Sequence, residues 1–262
     1  MKKYIILLAV ILISLNTTAQ TFGYKSGDRN RKYKKENVVT DIRGDLLYEN
    51  SDGVKASLST YIFGNNVYKD NRNNEVTYSK EIWSDIFPEY KANGKRILIW
   101  LANAFYETKD IKEKYKRNIH RDLEYENNIG LKASLSKNIF DEGIYKDNQN
   151  NEIKYSKEYW TEILNDFDNK DVQVFFLMMD RCHDIKNFKE EYRIDIFGYQ
   201  QYKDGSGRTA SLSKDIFDKI IYKDSNGNKI EYTEDRWRRF IKRHKSEKKA
   251  FIDLVQENLS NN

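Results

Sequence analysis

The chain has 262 residues, of which 33% are charged and 14% aromatic, with a single cysteine and a formal net charge of +5. That charge density excludes a membrane-embedded body, the aromatic share excludes a disordered chain, and a lone Cys182 cannot form a disulfide within the chain. So small a basic excess gives no reason to expect a nucleic-acid partner, which calls for a concentrated basic face.

Lys2 and Lys3 precede an apolar run over residues 4–15, and small and polar residues follow as far as Ala19-Gln20. A basic start, a short apolar core and a small-residue exit read as a secretory signal over residues 1–19, cleaved after Ala19. The run is too short for the roughly 20 apolar residues that a spanning helix needs. The expected product is therefore periplasmic or secreted, without a membrane span. Residues 20–40 carry Lys25, Arg29, Arg31, Lys32, Lys34 and Lys35 with few apolar anchors, and read as a flexible basic leader.

From residue 41 onward a 77-residue unit recurs: Trp83, Trp160 and Trp237; Gly53, Gly130 and Gly207; Ala56-Ser57-Leu58-Ser59, Ala133-Ser134-Leu135-Ser136 and Ala210-Ser211-Leu212-Ser213. The register divides the chain into residues 41–116, 117–193 and 194–262, the last copy being truncated. Each unit opens with a shorter repeat of 20 residues, in which Tyr48-Glu49-Asn50 is echoed by Tyr68-Lys69-Asp70. Apolar stretches run into clusters of Asp, Asn and Gly, and alternating stretches such as Lys229-Ile230-Glu231-Tyr232 follow, which predicts two β-hairpins per unit.

The period then changes from 2 to 3.6. Ser79, Ser156 and Thr233 stand at predicted helix N-caps, each followed two positions later by Glu81, Glu158 or Asp235. The stripe Trp83, Ile86 and Phe87 recurs as Trp160, Ile163 and Leu164, and Pro88 should end or kink the first copy. A second helix is predicted from Ile97, Leu98, Leu101 and Phe105, in register with Val174, Phe175, Met178 and Cys182 and with Phe251, Ile252, Val255 and Leu259. The short run over residues 172–176 also fits a strand, but the three-way match favours helix. The predicted fold class is α+β: three tandem 77-residue modules, each of two β-hairpins followed by a helical pair.

Ile62, Phe63 and Trp83 are expected to be buried between hairpin and helix, and Cys182 to be a buried, unreactive thiol. Tyr68, Tyr145 and Tyr222 are the candidate binding residues, with rings suited both to a core and to a binding surface. Asp70, Asp147 and Asp224 open turns; clustered oxygens suit calcium, but Asx-turn chemistry explains them without a metal, and neither metal nor cofactor is expected. His120, His183 and His244 do not align in the repeat, and no nucleophile, base and acid spacing or phosphate loop occurs, so no enzyme is expected.

The Ile-Phe, Tyr-Lys-Asp, Asn/Gly-Asn grammar, as in Ile216-Phe217 and Tyr222-Lys223-Asp224-Ser225-Asn226-Gly227-Asn228, resembles the tandem hairpin repeats of exported bacterial proteins. Some of those are similar to immunity proteins of secretion systems. A further likeness, to MORN-type hairpin repeats, fails at their glycine-tryptophan pattern. Loop residues vary between copies over a fixed framework, as in Gly64-Asn65-Asn66 against Asp141-Glu142-Gly143 and Asp218-Lys219-Ile220. The expected function is thus non-enzymatic binding of a protein, with toxin neutralisation as its sharpest form. The alternative is a carbohydrate or cell-envelope binding module that uses the tyrosines as stacking platforms.

Overall fold

The computed structural model describes residues 35–259, apart from 89 and 169; the predicted signal and most of the basic leader lie outside them. The first strand, β1 (Glu36–Thr40), is followed by β2 (Leu46–Asn50), β3 (Lys55–Thr60), β4 (Asn66–Asp70) and β5 (Glu75–Tyr78) in an antiparallel meander. Helices α1 (Lys80–Ile86) and α2 (Tyr90–Ala104) then carry the chain across to β6 (Lys112–Arg117), which pairs in parallel with β5. The same order repeats through β7 (Leu123–Asn127), β8 (Lys132–Lys137), β9 (Gly143–Asp147), β10 (Glu152–Tyr155), α3 (Lys157–Asp166) and α4 (Asp171–Cys182). It repeats again through β11 (Lys189–Ile194), β12 (Gln200–Asp204), β13 (Thr209–Lys214), β14 (Ile220–Asp224), β15 (Lys229–Tyr232), α5 (Glu234–His244) and α6 (Glu247–Leu259).

This corrects the expected fold class. Instead of three modules of two hairpins and a helical pair, the strands form one 15-stranded mixed sheet in chain order, with six helices among the described residues. The missing strand is the one that opens each set of five. Lys112–Arg117 reads Lys-Glu-Lys-Tyr-Lys-Arg, too charged to announce a strand, yet its backbone supplies the parallel partner that β5 needs on its open edge. Likewise Glu36–Thr40, expected in the flexible leader, pairs with β2. Lys35-Glu36, Lys112-Glu113 and Lys189-Glu190 are 77 residues apart, so the register extends further toward the N-terminus than the boundary at 41.

Two compact units are recognised. The first runs to residue 134 and includes residues 172–180 of α4; the second comprises residues 135–171 and everything from 181. In the first, α2 lies across β2, β3 and β4, and Phe105 stacks on Tyr68 with ring centroids 5.2 Å apart. Tyr78 and Tyr115 stack 5.3 Å apart across the parallel pair, their planes nearly parallel at 8°, and Phe176 of α4 meets Tyr115 edge-on. In the second, α6 lies over β12 and β14, Phe251 packs against Tyr192 and Tyr222, and Tyr155 stacks on Tyr192 across the other parallel pair. Offset aromatic pairs of this kind add to the area they bury.

The helices begin and end largely as the sequence predicts. Ser79 and Thr233 accept the amides of Ile82 and Arg236, while Ser156 instead donates to Glu158. Helix α1 stops at Ile86, ahead of Pro88, and residues 172–176 are helical. Strand alternation then sorts the side chains: Leu58, Tyr68, Val76 and Tyr78 face the helices, while Ser57, Lys69 and Glu75 face outward.

Candidate functional site

Every hairpin in the sheet is closed by the same five-residue turn. The first residue's amide donates to the carbonyl of the fifth, and the fourth residue's amide donates back to the carbonyl of the first, as in Asp41, Gly44 and Asp45 or Asp70, Asn73 and Asn74. The fourth residue has a positive φ, 88° at Gly44 and 64° at Asn73, which explains the Gly and Asn there. An Asp or Asn at the first position accepts two further amides through one side-chain oxygen: Asp70 Oδ1 takes those of Arg72 and Asn74, and Asp195 Oδ1 those of Phe197 and Tyr199. Against the cost of desolvation, these amides hold the Asp195 carboxyl below its ordinary value.

The turn thus favours Asp or Asn first, Tyr61 being the one exception, and a residue of positive φ fourth, while its own two hydrogen bonds make no demand on the side chains at positions two and three. Along one edge of the sheet positions two and three, where the amides of Ser51, Asn71, Asn128, Gly205 and Ser225 donate to the carbonyls of Lys35, Lys55, Lys112, Lys189 and Thr209, are Ser51-Asp52, Asn71-Arg72, Asn128-Ile129, Asn148-Gln149, Gly205-Ser206 and Ser225-Asn226. Along the other edge they are Ile42-Arg43, Ile62-Phe63, Ile119-His120, Ile139-Phe140, Ile196-Phe197 and Ile216-Phe217. All six isoleucines are at least 90% exposed, and the four phenylalanines are between 69% and 87% exposed. The expected burial of Ile62 and Phe63 is therefore corrected: both stand at a turn apex pointing away from the sheet, whereas Trp83 is buried as expected.

In the first unit, Ile42, Ile62-Phe63 and Ile119 lie on successive tips. In the second, Ile139-Phe140, Ile196-Phe197 and Ile216-Phe217 do the same. Successive tips are two or three strands apart, about 10 or 14 Å at the usual strand spacing. Paired apolar side chains repeated at such intervals are what a surface normally avoids.

The predicted binding tyrosines lie elsewhere. Tyr68, Tyr145 and Tyr222 are at most 2% exposed, so their rings offer no stacking platform to a surface ligand. Their hydroxyls donate to Asp70, Asp147 and Asp224 at 3.1, 3.2 and 3.1 Å. Burial raises the Tyr68 and Tyr222 hydroxyls well above the ordinary tyrosine value, and the neighbouring carboxylates add to it. The Tyr-Lys-Asp motif is accordingly one structural device: the tyrosine fills the core, its hydroxyl binds the aspartate, and the aspartate closes the turn. Asp70, Asp147 and Asp224 use their oxygens on amides and hydroxyls, and no group of three or more His, Cys, Asp or Glu suited to a metal occurs among the described residues.

Cys182 is buried, and desolvation, with the Asp147 carboxylate, pushes its thiol up to about 12, which leaves no thiolate for nucleophilic work near neutral pH. His183 Nδ1 lies 3.0 Å from Asp184 and His244 Nδ1 2.5 Å from Asp253, while His120 sits at a turn apex. No helix of the described residues is long and apolar enough to cross a membrane.

Comparison with protein-family models, curated proteins and solved structures finds no match to this chain. The tip residues were in plain view as the repeated Ile-Phe pair, but repetition alone does not separate a core position from a displayed one. The signal that does is their place just before a Gly or Asp at position four, with an Asp or Asn at position one in three of the four Ile-Phe pairs and Tyr61 in the other.

Proposed function

We propose that this is an exported, non-catalytic binding protein that recognises a protein partner through the Ile-Phe turn tips. One observation carries the reading: the same turn is built on both edges of the sheet, yet one edge places isoleucine at all six tips and phenylalanine at four of them, while the other carries a single apolar tip residue, Ile129. The turn geometry has no use for them, since Asn-Arg and Gly-Ser close it equally well at residues 71–72 and 205–206. Exposed aromatic and aliphatic side chains are the anchors that protein interfaces bury. Export rests on the N-terminal signal pattern, and the absence of a catalytic constellation from the sequence supports a binding role. Neutralisation of a toxin by occlusion is the specific form suggested by the resemblance to immunity proteins.

The test uses the mature chain as bait in the native exported fraction, beside a variant carrying Phe63→Ser, Phe140→Ser, Phe197→Ser and Phe217→Ser. A protein captured by the parent and released from a variant of unchanged denaturation midpoint supports the proposal. Capture that is indifferent to the four substitutions, or no capture by folded bait, refutes it. Dissociation of a dimer by the same substitutions would make a second copy of the chain the partner.

A further inference from the structure

The helix-free face of the second unit carries a charge arrangement that its sister repeat lacks. Between β11 and β15, cross-strand register places Arg193, Gln201, Ser211, Lys223 and Lys229 in one row. Tyr192, Tyr202, Leu212 and Tyr222 alternate with them toward the helices, so the row faces outward, and Arg193, Lys223 and Lys229 are exposed. The corresponding row of the first repeat is Val39, Leu47, Ser57, Lys69 and Glu75, with Lys69 and Glu75 3.3 Å apart. The second repeat keeps the same ion pair as Lys146 and Glu152 at 3.5 Å. In the third, Lys223 directly faces Lys229. Like charges opposite one another on a strand pair are unfavourable. One row over, Lys203 stands where the earlier repeats have Glu49 and Glu126, so two acids have become lysines on one face.

We infer that this face is a second binding site, for a linear anionic polysaccharide laid across the strands along the row. The three cations of the row span four inter-strand gaps, about 19 Å, without an intervening acid. Gln201 and Ser211 between them provide amide and hydroxyl groups suited to sugar hydroxyls and carboxylates, Gln201 Nε2 also donating to Asp195 at 3.0 Å. Acids border the row without interrupting it: Glu231 pairs with Lys229 at 2.6 Å and with Lys219 at 3.7 Å, and Glu191 faces Lys203 across the strands. The row offers no aromatic ring, so recognition here would be by charge and hydrogen bonding, which selects an acidic glycan over a neutral one. The site is separate from the turn tips and does not depend on them.

The test is titration of the mature protein with polygalacturonate, with dextran as the neutral polymer and poly-glutamate as the acidic peptide, at low and high salt. Polygalacturonate is expected to bind in a salt-sensitive manner, dextran not at all, and poly-glutamate more weakly. Lys223→Glu with Lys229→Glu should weaken binding about tenfold or more, as loss and reversal of several surface ion pairs implies. Lys229→Glu alone restores the pairing of the other repeats and so tests the row without endangering the fold. The four tip substitutions should leave this binding unchanged. Failure of polygalacturonate to bind, indifference to the lysine substitutions, or equal binding of poly-glutamate would each overturn the inference.

Discussion

The Tyr68 hydroxyl donates to Asp70 Oδ2 at 3.1 Å, and the second carboxylate oxygen of Asp70 accepts the amides of Arg72 and Asn74. One carboxylate thus ties a core aromatic ring to the turn that reverses the chain. Asp70→Ala leaves a buried hydroxyl and two amides short of a partner and should cost about 1–3 kcal/mol, while Asp70→Asn keeps an acceptor for the amides and should cost less. Urea denaturation of both variants checks the order.

Asn151 makes a broader connection. Its amide donates to Asp147 and to the carbonyls of Cys182 and Ile185, and its oxygen accepts the amide of Phe188, so it fastens the exit from α4 to a turn of the sheet. In the third copy Asn228 keeps the bond to Asp224 but is exposed. Asn151→Ala should therefore destabilise by about 2–4 kcal/mol and Asn228→Ala by under about 1 kcal/mol. Equal losses in denaturation experiments would contradict this division of labour.

Tyr78 and Tyr115 stack on one another but differ at their hydroxyls. Tyr115 donates to Glu113 at 2.9 Å, whereas the buried Tyr78 hydroxyl has no hydrogen-bond partner. Tyr78→Phe removes a polar atom without breaking a bond and should be neutral or stabilising by up to about 1 kcal/mol; Tyr115→Phe should be destabilising by a similar amount. Thermal melts of the two single variants distinguish them.

Acid should unfold the protein partly through its turn carboxylates. Against desolvation, Ser206 and Arg208 hold the Asp204 carboxyl below its ordinary value, and the Lys157 and Lys137 ammonium groups hold that of exposed Asp141 at about 2. A carboxyl with a lowered folded-state value contributes stability above its unfolded value and loses it as pH falls through the folded one. Stability from these groups is thus present at neutral pH and declines from about pH 4 toward pH 2. Glu190 has the opposite sign: burial raises its carboxyl despite Arg181, so protonation there does not contribute to acid unfolding. Asp204→Asn should flatten the decline in denaturation midpoint between about pH 4 and 2; an unchanged slope would count against it.

The sequence made the 77-residue period, both helices of each repeat, and the Asp, Asn and Gly turns readable, because these follow from local rules. It concealed the strand at the start of each repeat, since Lys112–Arg117 has one buried aromatic residue, Tyr115, and is held by pairing with β5 and β7. The same limit explains the tyrosines and the tips. Tyr222 and Phe217 are both aromatic and both repeated, and only the strand register and the turn geometry put one in the core and the other in solvent.

Site-specific photo-crosslinking in the producing cells reads out whether the Ile-Phe edge is displayed for a partner. A photoreactive residue would replace Phe197, at the apolar edge, or Ser206, at the opposite edge. A discrete protein adduct is expected from position 197 and none from position 206. Adducts of equal yield from both positions, or none from position 197 in a folded and exported protein, would contradict that display.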